Sequence, residues 1–537
     1  MKKFIQLFAV TAILTITSCS KDFLDTSPVT EATTENFYKI PSEAFQGLVA
    51  VYDALQQGGD AYGGSLLTSE IASDNCFLGF GSQDGTGINE WDRFQTVPNS
   101  ETNNAVWKAN YLGIARANIL LEHLDQVNWG SDTALRTQYE AEAKFLRAYF
   151  HFELARTFGD IIPLDHTIKT TDNTLPRVDA ATTYELIASD LKFAVDNLEN
   201  DNYSTPNNAK YGRITKWAAE TYMAKVYLFY TGYYNKPDLA GVVTQAQATT
   251  YIDDVINNSG HDLISDYSQL WVASAASSTS HIYAGEGNTE DIFAIRYDNI
   301  GKGDWNLHDG NRFVVNIAPR GGGVGVYSNG WGGGTVNPAL VAAYEVGDTR
   351  KAASFIDFVG EGLTYDPNAS NISQRQYTGY SWKKYCPVNN TSGVGITTAN
   401  GGNFQVDNYE DIVILRFADA LLLAAELNLT SNPAFAQTCL DRVRDRAFGD
   451  TTHRVAVSKA IILNERRLEL ALEGNRYYDL LRQGLAVAKA AIDKTDSTND
   501  VNTGFNVSFR SETLGWFAIP QTQILLSAGG ISQNPGW

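Results

Sequence analysis

Apolar residues recur every three to four positions along most of the N-terminal half of the chain. This spacing places them on one face of a helix, so it predicts a series of amphipathic helices. The N-terminal half is therefore expected to be mainly α-helical. The predicted helices span residues 42–56, 103–126, 135–158, 182–198 and 214–230.

The third of these helices carries two apolar stripes, roughly 140° apart at about 100° per residue. A helix with two apolar faces is packed between neighbours rather than lying on a surface, as in stacked helix pairs. The pattern predicts a helical-repeat scaffold. The stripes are Ala143, Leu146, Phe150 and Leu154, and Phe145, Tyr149 and Phe152.

The helical spacing disappears between residues 261 and 409. Glycines cluster between Gly301 and Gly334, and the segment 292–297 reads as a short strand. Such a long irregular segment in a compact protein is either disordered or functional. Aromatic residues embedded among the glycines favour an ordered, loop-rich insertion, because disordered segments are poor in aromatics. These residues are Trp305, Phe313, Tyr327 and Trp331.

Helical spacing returns at residues 411–428, 433–446 and 459–482, and Gly484 is predicted to end the last helix. In the first of them, an alternating three-and-four spacing predicts the seam of a packed helix pair; its residues are Leu415, Ala418, Leu422 and Ala425. The tail at 517–537 reads as extended. The predicted fold is mainly α, a tetratricopeptide-like scaffold with a loop-rich, mixed insertion. Its parts are residues 41–260, 261–409 and 410–537, in one continuous unit.

The N-terminus has the features of an export signal. A cationic start is followed by the mostly apolar stretch Phe4–Ile16, which is too short to span a bilayer permanently. The sequence Ile16-Thr17-Ser18-Cys19 resembles a bacterial lipobox, so residues 1–18 are expected to be removed and Cys19 to carry lipid. Residues 19–40 would then form a leader. The alternative is an ordinary secretory signal with a chance cysteine.

Composition narrows the class of ligand. The 537 residues carry a net charge of -20, which disfavours nucleic acid and anionic lipid surfaces. Aromatic residues make up 12% of the chain, a supply suited to flat apolar ligands. Beyond Cys19, the three cysteines Cys76, Cys386 and Cys439 allow at most one internal bridge and are expected to be buried thiols.

Five blocks of sequence follow a recognisable family pattern. The most specific block is NERRLELALEGNRYYDLLRQG at residues 464–484. The others are KFLRAYFHFELARTFGD at 144–160, RITKWAAETYMAKVYL at 213–228, LRFADALLLAAELN at 415–428 and QNPGW at 533–537. Together with the lipobox they extend to the last residue, and they resemble the SusD/RagB family, the surface glycan-binding lipoproteins of Bacteroidetes.

The resemblance implies four tetratricopeptide-like helix pairs and a loop-rich part that carries the ligand. It also implies an outer-membrane, cell-surface location with a SusC-like TonB-dependent transporter as partner. The charged residues of the 464–484 block are expected to be structural, since they fall three to four apart on one predicted helix and can form ion pairs. They are Glu465, Arg466, Glu469, Glu473 and Arg476.

A sugar offers a weakly apolar ring face and a rim of hydroxyl groups. A sugar binder therefore needs exposed aromatic planes with polar groups around them. Five tryptophans lie in loop-like sequence beside polar or flexible residues and are the candidates: Trp91, Trp271, Trp305, Trp331 and Trp382.

Two segments, 73–93 and 304–331, combine such aromatics with glycine and short polar residues. Glycine lets backbone approach a ligand closely. The alternative is that each tryptophan merely packs a loop onto the helices. The predicted glycan contacts are Trp91, Trp305, Trp331, Tyr327, Asp74, Asn75, Asp84 and Arg312.

Catalytic motifs of the common hydrolase, metalloprotease and nucleotide-binding types are absent from the sequence. We therefore predict a non-catalytic binder of a neutral glycan, although a patch of Arg93, Arg312 and Arg320 would favour an anionic one. The alternatives are a glycoside hydrolase using paired carboxylates and a tetratricopeptide-type interaction adaptor. No cofactor or metal site is indicated, though loop carboxylates could hold Ca²⁺ without a recognisable spacing.

Overall fold

The fold is given by a computed structural model of the chain. It describes residues 37–537 apart from 61–63, 82–83, 85–90, 96–100, 170–171, 173–174, 204–211, 299–302, 494 and 497–504. The predicted signal peptide, Cys19 and most of the leader lie outside these residues. Within the described ranges, no helix combines the length and apolarity needed to cross a bilayer.

Helices stack against one another along the N-terminal half. They are α1 (Pro41–Asp60), α2 (Gly64–Ile71), α3 (Glu101–His123), α4 (Thr133–Phe158), α5 (Ala180–Asn197), α6 (Lys216–Tyr233) and α7 (Gln245–Asn258). Helix α1 packs on α3, α4 on α5 and α6 on α7, while α3 also contacts α4 and α5 contacts α6. The prediction of stacked helix pairs is confirmed, although the spacing analysis did not identify α7.

Helix α4 is packed between neighbours on both of its apolar faces. Every residue of its two stripes is buried. Phe145 and Phe152 contact the ring of Tyr222 on α6, with centroids 5.5 and 5.7 Å apart. Arg147 of α4 donates to both carboxylate oxygens of Asp190 on α5, at 2.7 and 2.8 Å. The two-faced pattern therefore marks the centre of the scaffold.

After α7 the chain leaves the scaffold and forms a series of short elements. These are α8 (Val272–Ser277), β1 (Asp291–Ile295), α9 (Val314–Ile317), α10 (Pro338–Val341), α11 (Thr349–Ser354), β2 (Phe355–Asp357), β3 (Tyr380–Trp382), α12 (Ile396–Ala399) and β4 (Ile412–Arg416). The strand predicted at 292–297 is confirmed as β1. Strand β1 pairs antiparallel with β4, and β2 pairs antiparallel with β3.

The scaffold resumes after β4 with a fourth helix pair. Helix α13 packs on α14 and also contacts α7, so the stack continues across the insertion. The remaining elements are α13 (Phe417–Asn428), α14 (Pro433–Phe448), α15 (Lys459–Glu469), α16 (Arg476–Leu481), α17 (Leu485–Ile492), β5 (Thr495–Asp496), β6 (Phe505–Asn506) and α18 (Gln521–Leu526).

The helix predicted at 411–428 is wrong over its first turns. Residues 412–416 form strand β4, and the helix begins only at Phe417. The β-branched residues Ile412, Val413 and Ile414 favour an extended backbone, and β1 supplies the pairing partner. The seam of the packed pair therefore excludes Leu415 and consists of the buried residues Ala418, Leu422 and Ala425.

The helix predicted at 459–482 is interrupted between Glu469 and Arg476. Gly474 has a φ of +74°, and a Cβ on it would lie 2.9 Å from the Cα of Leu66 on α2. The chain must therefore turn here to pass close to α2. As a result, Glu473 and Arg476 do not share a helix with Glu465, Arg466 and Glu469.

The predicted stop at Gly484 is confirmed, since α16 ends at Leu481 and Gly484 has a φ of +111°, but this helix is not the last one, because α17 begins at Leu485. The tail predicted to be extended includes the short helix α18. Cys76, Cys386 and Cys439 are buried, as expected for structural thiols.

Candidate functional site

The two segments predicted to carry the site meet in the structure. Gly79 forms an antiparallel bridge with Gly333, and the Phe80 N–H donates to the Gly332 carbonyl at 2.8 Å. A Cβ on Gly333 would lie 2.3 Å from the Phe80 ring. Glycine is required at this position because the aromatic ring of one segment rests directly on the backbone of the other.

A third segment, which the sequence did not indicate, joins them. Gln374 forms an antiparallel β-bridge with Gly81. The side-chain amide nitrogen of Gln374 donates to the Gly332 carbonyl at 2.7 Å, and its amide oxygen accepts from the Tyr365 hydroxyl at 2.5 Å. Tyr365 stacks between Phe358 and Tyr377, with centroids 4.4 and 5.5 Å apart. These aromatics lie in irregular sequence without a repeating period, so only the fold reveals that they form a cluster.

Trp331 borders the same place. Its backbone N–H donates to the Val315 carbonyl at 2.7 Å. The next residue along the chain is Gly332, whose carbonyl accepts from Gln374. Trp331, Tyr365 and Tyr377 are each half-buried, so each keeps part of its side chain in solvent. We call these three residues the aromatic ledge.

Trp305 is the most open of the candidate tryptophans, with 51% of its surface exposed. It lies in a turn in which the Asp304 carboxylate accepts from the Asn306 N–H at 2.8 Å. The guanidinium of Arg312 donates to the Trp305 carbonyl at 2.9 Å and also to that of Leu307. The backbone of Trp305 is thus bonded to Arg312, and that of Trp331 is bonded to Val315, which follows Arg312 by three residues.

Four of the predicted aromatic candidates are buried, so the expectation that their rings face solvent is wrong. Trp91 is 1% exposed and stacks on Phe517 with centroids 3.8 Å apart. Tyr327 is fully covered, and its hydroxyl donates to Glu361 at 2.6 Å. The rings of Trp271 and Trp382 are likewise in the core. Each of the four packs its segment onto the rest of the fold.

Asp74 and Asn75 are also buried rather than open to a ligand. The Asp74 carboxylate lies 2.8 Å from the Arg467 guanidinium and 2.7 Å from that of Arg476. The Asn75 amide donates to Glu70 at 2.8 Å. Arg467 on α15 also donates to the Asn75 amide oxygen at 3.1 Å, so both residues tie the segment after α2 to α15 and have a packing role.

Asp84 lies at the edge of the ledge with much of its side chain in solvent. It forms a 2.6 Å ion pair with Arg320, whose Nε donates to the Ile372 carbonyl at 2.6 Å. Arg375 approaches the same place, where burial and then the nearby charge of Arg93 lower its pKa. The predicted basic patch therefore contains Arg93 and Arg320 together with Arg375, whereas Arg312 belongs to the Trp305 turn.

Carboxylates with raised pKa values surround a small cavity beneath β1 and β4. Burial raises the pKa of Glu410 to about 7, and burial with the neighbouring Asp411 raises that of Glu286 to about 8. Arg296 pairs with Asp411 at 2.5 Å. The cavity measures about 20 Å³, which is room for about one water molecule. Within the described chain, no three His, Cys, Asp or Glu side chains are arranged to hold a metal ion.

A larger cleft of about 810 Å³ runs along α3 on the helical side of the protein. Its lining is mainly aliphatic and aromatic, including Trp107, Ile119 and Leu164, with His308 at its rim. Most of its lining surface is apolar, whereas sugar hydroxyls need many polar partners. The ledge and Trp305 are therefore the better candidates for a sugar site.

Stacked helix pairs with a loop-rich insertion that exposes aromatic rings define a helical-repeat binding protein. Two sequence models of one family match the chain. The model described as starch-binding associating with outer membrane matches residues 22–228, and that of the SusD family matches residues 350–537. The chain belongs to the SusD/RagB family.

Individual relatives extend over nearly the whole chain. A SusD-like protein of Bacteroides ovatus is 26% identical over 502 residues, covering 90% of this chain and 82% of that protein. The structure of a laminarin-binding SusD-like protein is 28% identical, with a TM-score of 0.76 over 93% of this chain and 100% of that one. Surface glycan-binding protein A from Bacteroides thetaiotaomicron, in complex with laminarihexaose, is 22% identical, with a TM-score of 0.75 over 92% and 99% of the two chains.

Proposed function

We propose that this protein is a cell-surface lipoprotein that binds a polysaccharide or oligosaccharide and passes it to a SusC-like TonB-dependent transporter. The observation that carries the proposal is the exposed indole of Trp305. Exposing the apolar surface of a tryptophan to water costs free energy, and the flat indole can pack against the ring face of a sugar. The ledge of Trp331, Tyr365 and Tyr377 supplies further ring surface.

A neutral β-glucan is the proposed ligand class. The 28% identical relative is named for laminarin, a neutral glucose polymer. The net charge of -20 also disfavours uronic-acid and sulfated chains. At the edge of the ledge, the charge of Arg320 is offset by Asp84.

Catalysis is not part of the proposed function. A glycosidase needs an acid of raised pKa next to a second carboxylate, and Glu286 and Glu410 have that property. However, the cavity beside them is too small for a sugar. Capture without bond cleavage fits the site better, and an adaptor role alone would leave the exposed aromatics unused.

Anchoring and delivery complete the proposal. A lipid on Cys19 would hold the protein at the outer membrane, since several acyl chains bind a bilayer more stably than one. Cys19→Ser should release the protein from the membrane fraction. Purification of the lipidated protein from its native membranes should recover a TonB-dependent barrel with it. If the lipidated protein is recovered without such a barrel, the transport part of the proposal fails.

Ligand binding is tested with the chain lacking residues 1–19, which retains every residue the structure describes. We expect laminarin in a native gel to retard this protein and no new reducing ends to appear. Trp305→Ala should weaken binding at least about tenfold, the loss expected for a central aromatic contact. Trp331→Ala should weaken it less, since that ring is half-buried.

Val346→Ala is the matched control, because it removes an exposed apolar side chain that belongs neither to the Trp305 turn nor to the aromatic ledge. Its affinity should equal that of the unchanged protein. Full affinity in both tryptophan variants, with folding verified by circular dichroism, would remove the proposed site. New reducing ends would favour the glycosidase.

A further inference from the structure

The Trp305 turn is held from one side by a single guanidinium. The Arg312 Nη2 donates to the carbonyls of Trp305 and Leu307 and lies 3.5 Å from that of Asp304. The same guanidinium lies 5.5 Å from the centroid of the Trp305 ring. One side chain therefore fixes both the backbone of the turn and the aromatic plane that the turn exposes.

The backbone on either side of Arg312 is held by buried contacts. Asn311 is fully buried, and its N–H donates to the Asn408 carbonyl at 2.6 Å. The Arg312 carbonyl accepts from the Asn316 amide at 2.9 Å, and the next residue, Phe313, is buried against Trp382. The guanidinium can therefore act as a fixed support for a turn whose residues 304–307 are exposed.

We infer that Arg312 is a positioning residue for glycan capture, acting through Trp305 rather than through contact with sugar. This inference rests on the proposed function. Without the guanidinium, the turn and the indole would have to be ordered at each binding event, and ordering a side chain on binding costs affinity. Lysine is not expected to replace arginine here, because an ammonium group has no planar face to set against the ring and is more strongly hydrated on a flexible stem.

The first test needs no ligand. In the chain lacking residues 1–19, hydrogen exchange is measured at the amides of Asn306 and Leu307, which donate to Asp304 within the turn. Arg312→Ala should accelerate exchange by about three- to tenfold, and Arg312→Lys nearly as much, because the turn opens more often. Arg454→Ala, which removes a guanidinium from an exposed ion pair with Asp445, should leave exchange at these amides unchanged. Unchanged exchange in Arg312→Ala, or full rescue by lysine, would overturn the inference.

The second test is a double-mutant cycle on laminarin affinity. Arg312→Ala should weaken binding by about three- to tenfold, the effect expected for ordering one side chain on binding. The double variant with Trp305→Ala should bind no more weakly than Trp305→Ala alone. Effects that multiply would mean that Arg312 acts independently of Trp305, and would overturn the inference.

The two tests separate the inference from the function on which it rests. If the unchanged protein binds no glycan, the proposed function fails, while the exchange experiment still decides whether Arg312 positions the turn. If glycan binds and exchange does not respond to Arg312→Ala, only the positioning role fails.

Discussion

Trp91 joins parts of the chain that are far apart in sequence. Its ring stacks on Phe517, and its Nε1 donates to the Asn103 side chain on α3 at 2.7 Å. Asn103 in turn donates to the Ala518 carbonyl at 2.9 Å. The residue therefore fastens the C-terminal tail to the N-terminal helices.

Replacing Trp91 should affect stability and not ligand binding. Trp91→Ala is expected to lower the free energy of unfolding by about 3–5 kcal/mol, because it opens a cavity and strands the Asn103 side chain. The measurement is denaturant unfolding, with laminarin affinity determined on the folded protein. Trp305→Ala should show the reverse pattern. Weakened affinity with unchanged stability in Trp91→Ala would restore Trp91 as a site residue.

The contrast between Trp91 and Trp305 shows where sequence reasoning about a site stops. Both have polar and flexible neighbours in the chain, so local sequence favoured exposure equally. Burial is decided by Phe517, which approaches Trp91 from more than four hundred positions away. The sequence predicts Arg312 as a glycan contact, but only the fold shows that its guanidinium faces the Trp305 turn.

At the scale of elements, α15 contributes the centre of a buried ion network. Glu469 accepts from Arg416 and Arg446, each at 2.5 Å, and from Arg350 at 3.1 Å. Burial alone would raise the pKa of Glu469, but the guanidiniums of Arg446, Arg416 and Arg350 hold it well below its usual range. The network joins α15 to α11, β4 and α14.

Glu469→Gln should therefore be strongly destabilising. It keeps the shape of the side chain but removes one negative charge from a buried network, so three guanidiniums must share the remaining carboxylates. The expected loss is about 3–5 kcal/mol in the free energy of unfolding. The remaining carboxylates are Asp348, Glu465, Glu290 and Glu473. Asp196→Asn is the matched control, since it makes the same chemical change in an exposed pair with Lys192, where about 0–1 kcal/mol is expected. Equal effects in denaturant unfolding would show that the network does not stabilise the fold.

Element boundaries were predictable where a single period governs the sequence. Helices α1, α3 and α4 follow from apolar spacing alone, and the pairing of the charged residues in the 464–484 block was also expected. The break before α16 was not, because the need for Gly474 arises from the approach of Leu66 across the fold. Likewise, Leu415 fits a helical seam and a strand equally well until β1 is present beside it.

For the whole molecule, the carboxylates buried near β1 and β4 link stability to pH. Glu410 has a pKa of about 7 in the folded protein, above its ordinary value of 4.5, because burial disfavours its charged form. A raised pKa means that the folded state holds the proton more tightly than the unfolded chain. The bound proton therefore stabilises the folded state. This contribution to the free energy of unfolding is fully present below pH 4.5 and is lost as the pH rises through about 7.

Glu410→Gln should remove this dependence. Its free energy of unfolding, relative to that of the unchanged protein, should rise by roughly 1–3 kcal/mol between pH 4.5 and 7.5. Denaturant unfolding at both pH values provides the measurement, and Glu185→Gln on the exposed side of α5 is the control for loss of one carboxylate. A difference that stays constant with pH would show that Glu410 does not retain its proton on folding.

The overall architecture was predictable because its helices repeat a simple pattern of apolar residues. The arrangement within the insertion was not. The pairings of Gly79 with Gly333 and of Gly81 with Gln374 join segments that share no period, and glycine gives no side-chain signal of its partner. Hence the sequence located the region of the aromatic ledge without revealing Tyr365 or Tyr377.

The pairing of β1 with β4 has a consequence for how such a protein diversifies. It brings the two ends of the segment between Ile295 and Ile412 side by side, so that segment leaves and re-enters the scaffold at one place. Lengthening or shortening a loop whose ends are already fixed together changes the entropy of folding only slowly. Mutation can therefore reshape the outer turns and acquire new sugar preferences while the inherited helical frame is preserved.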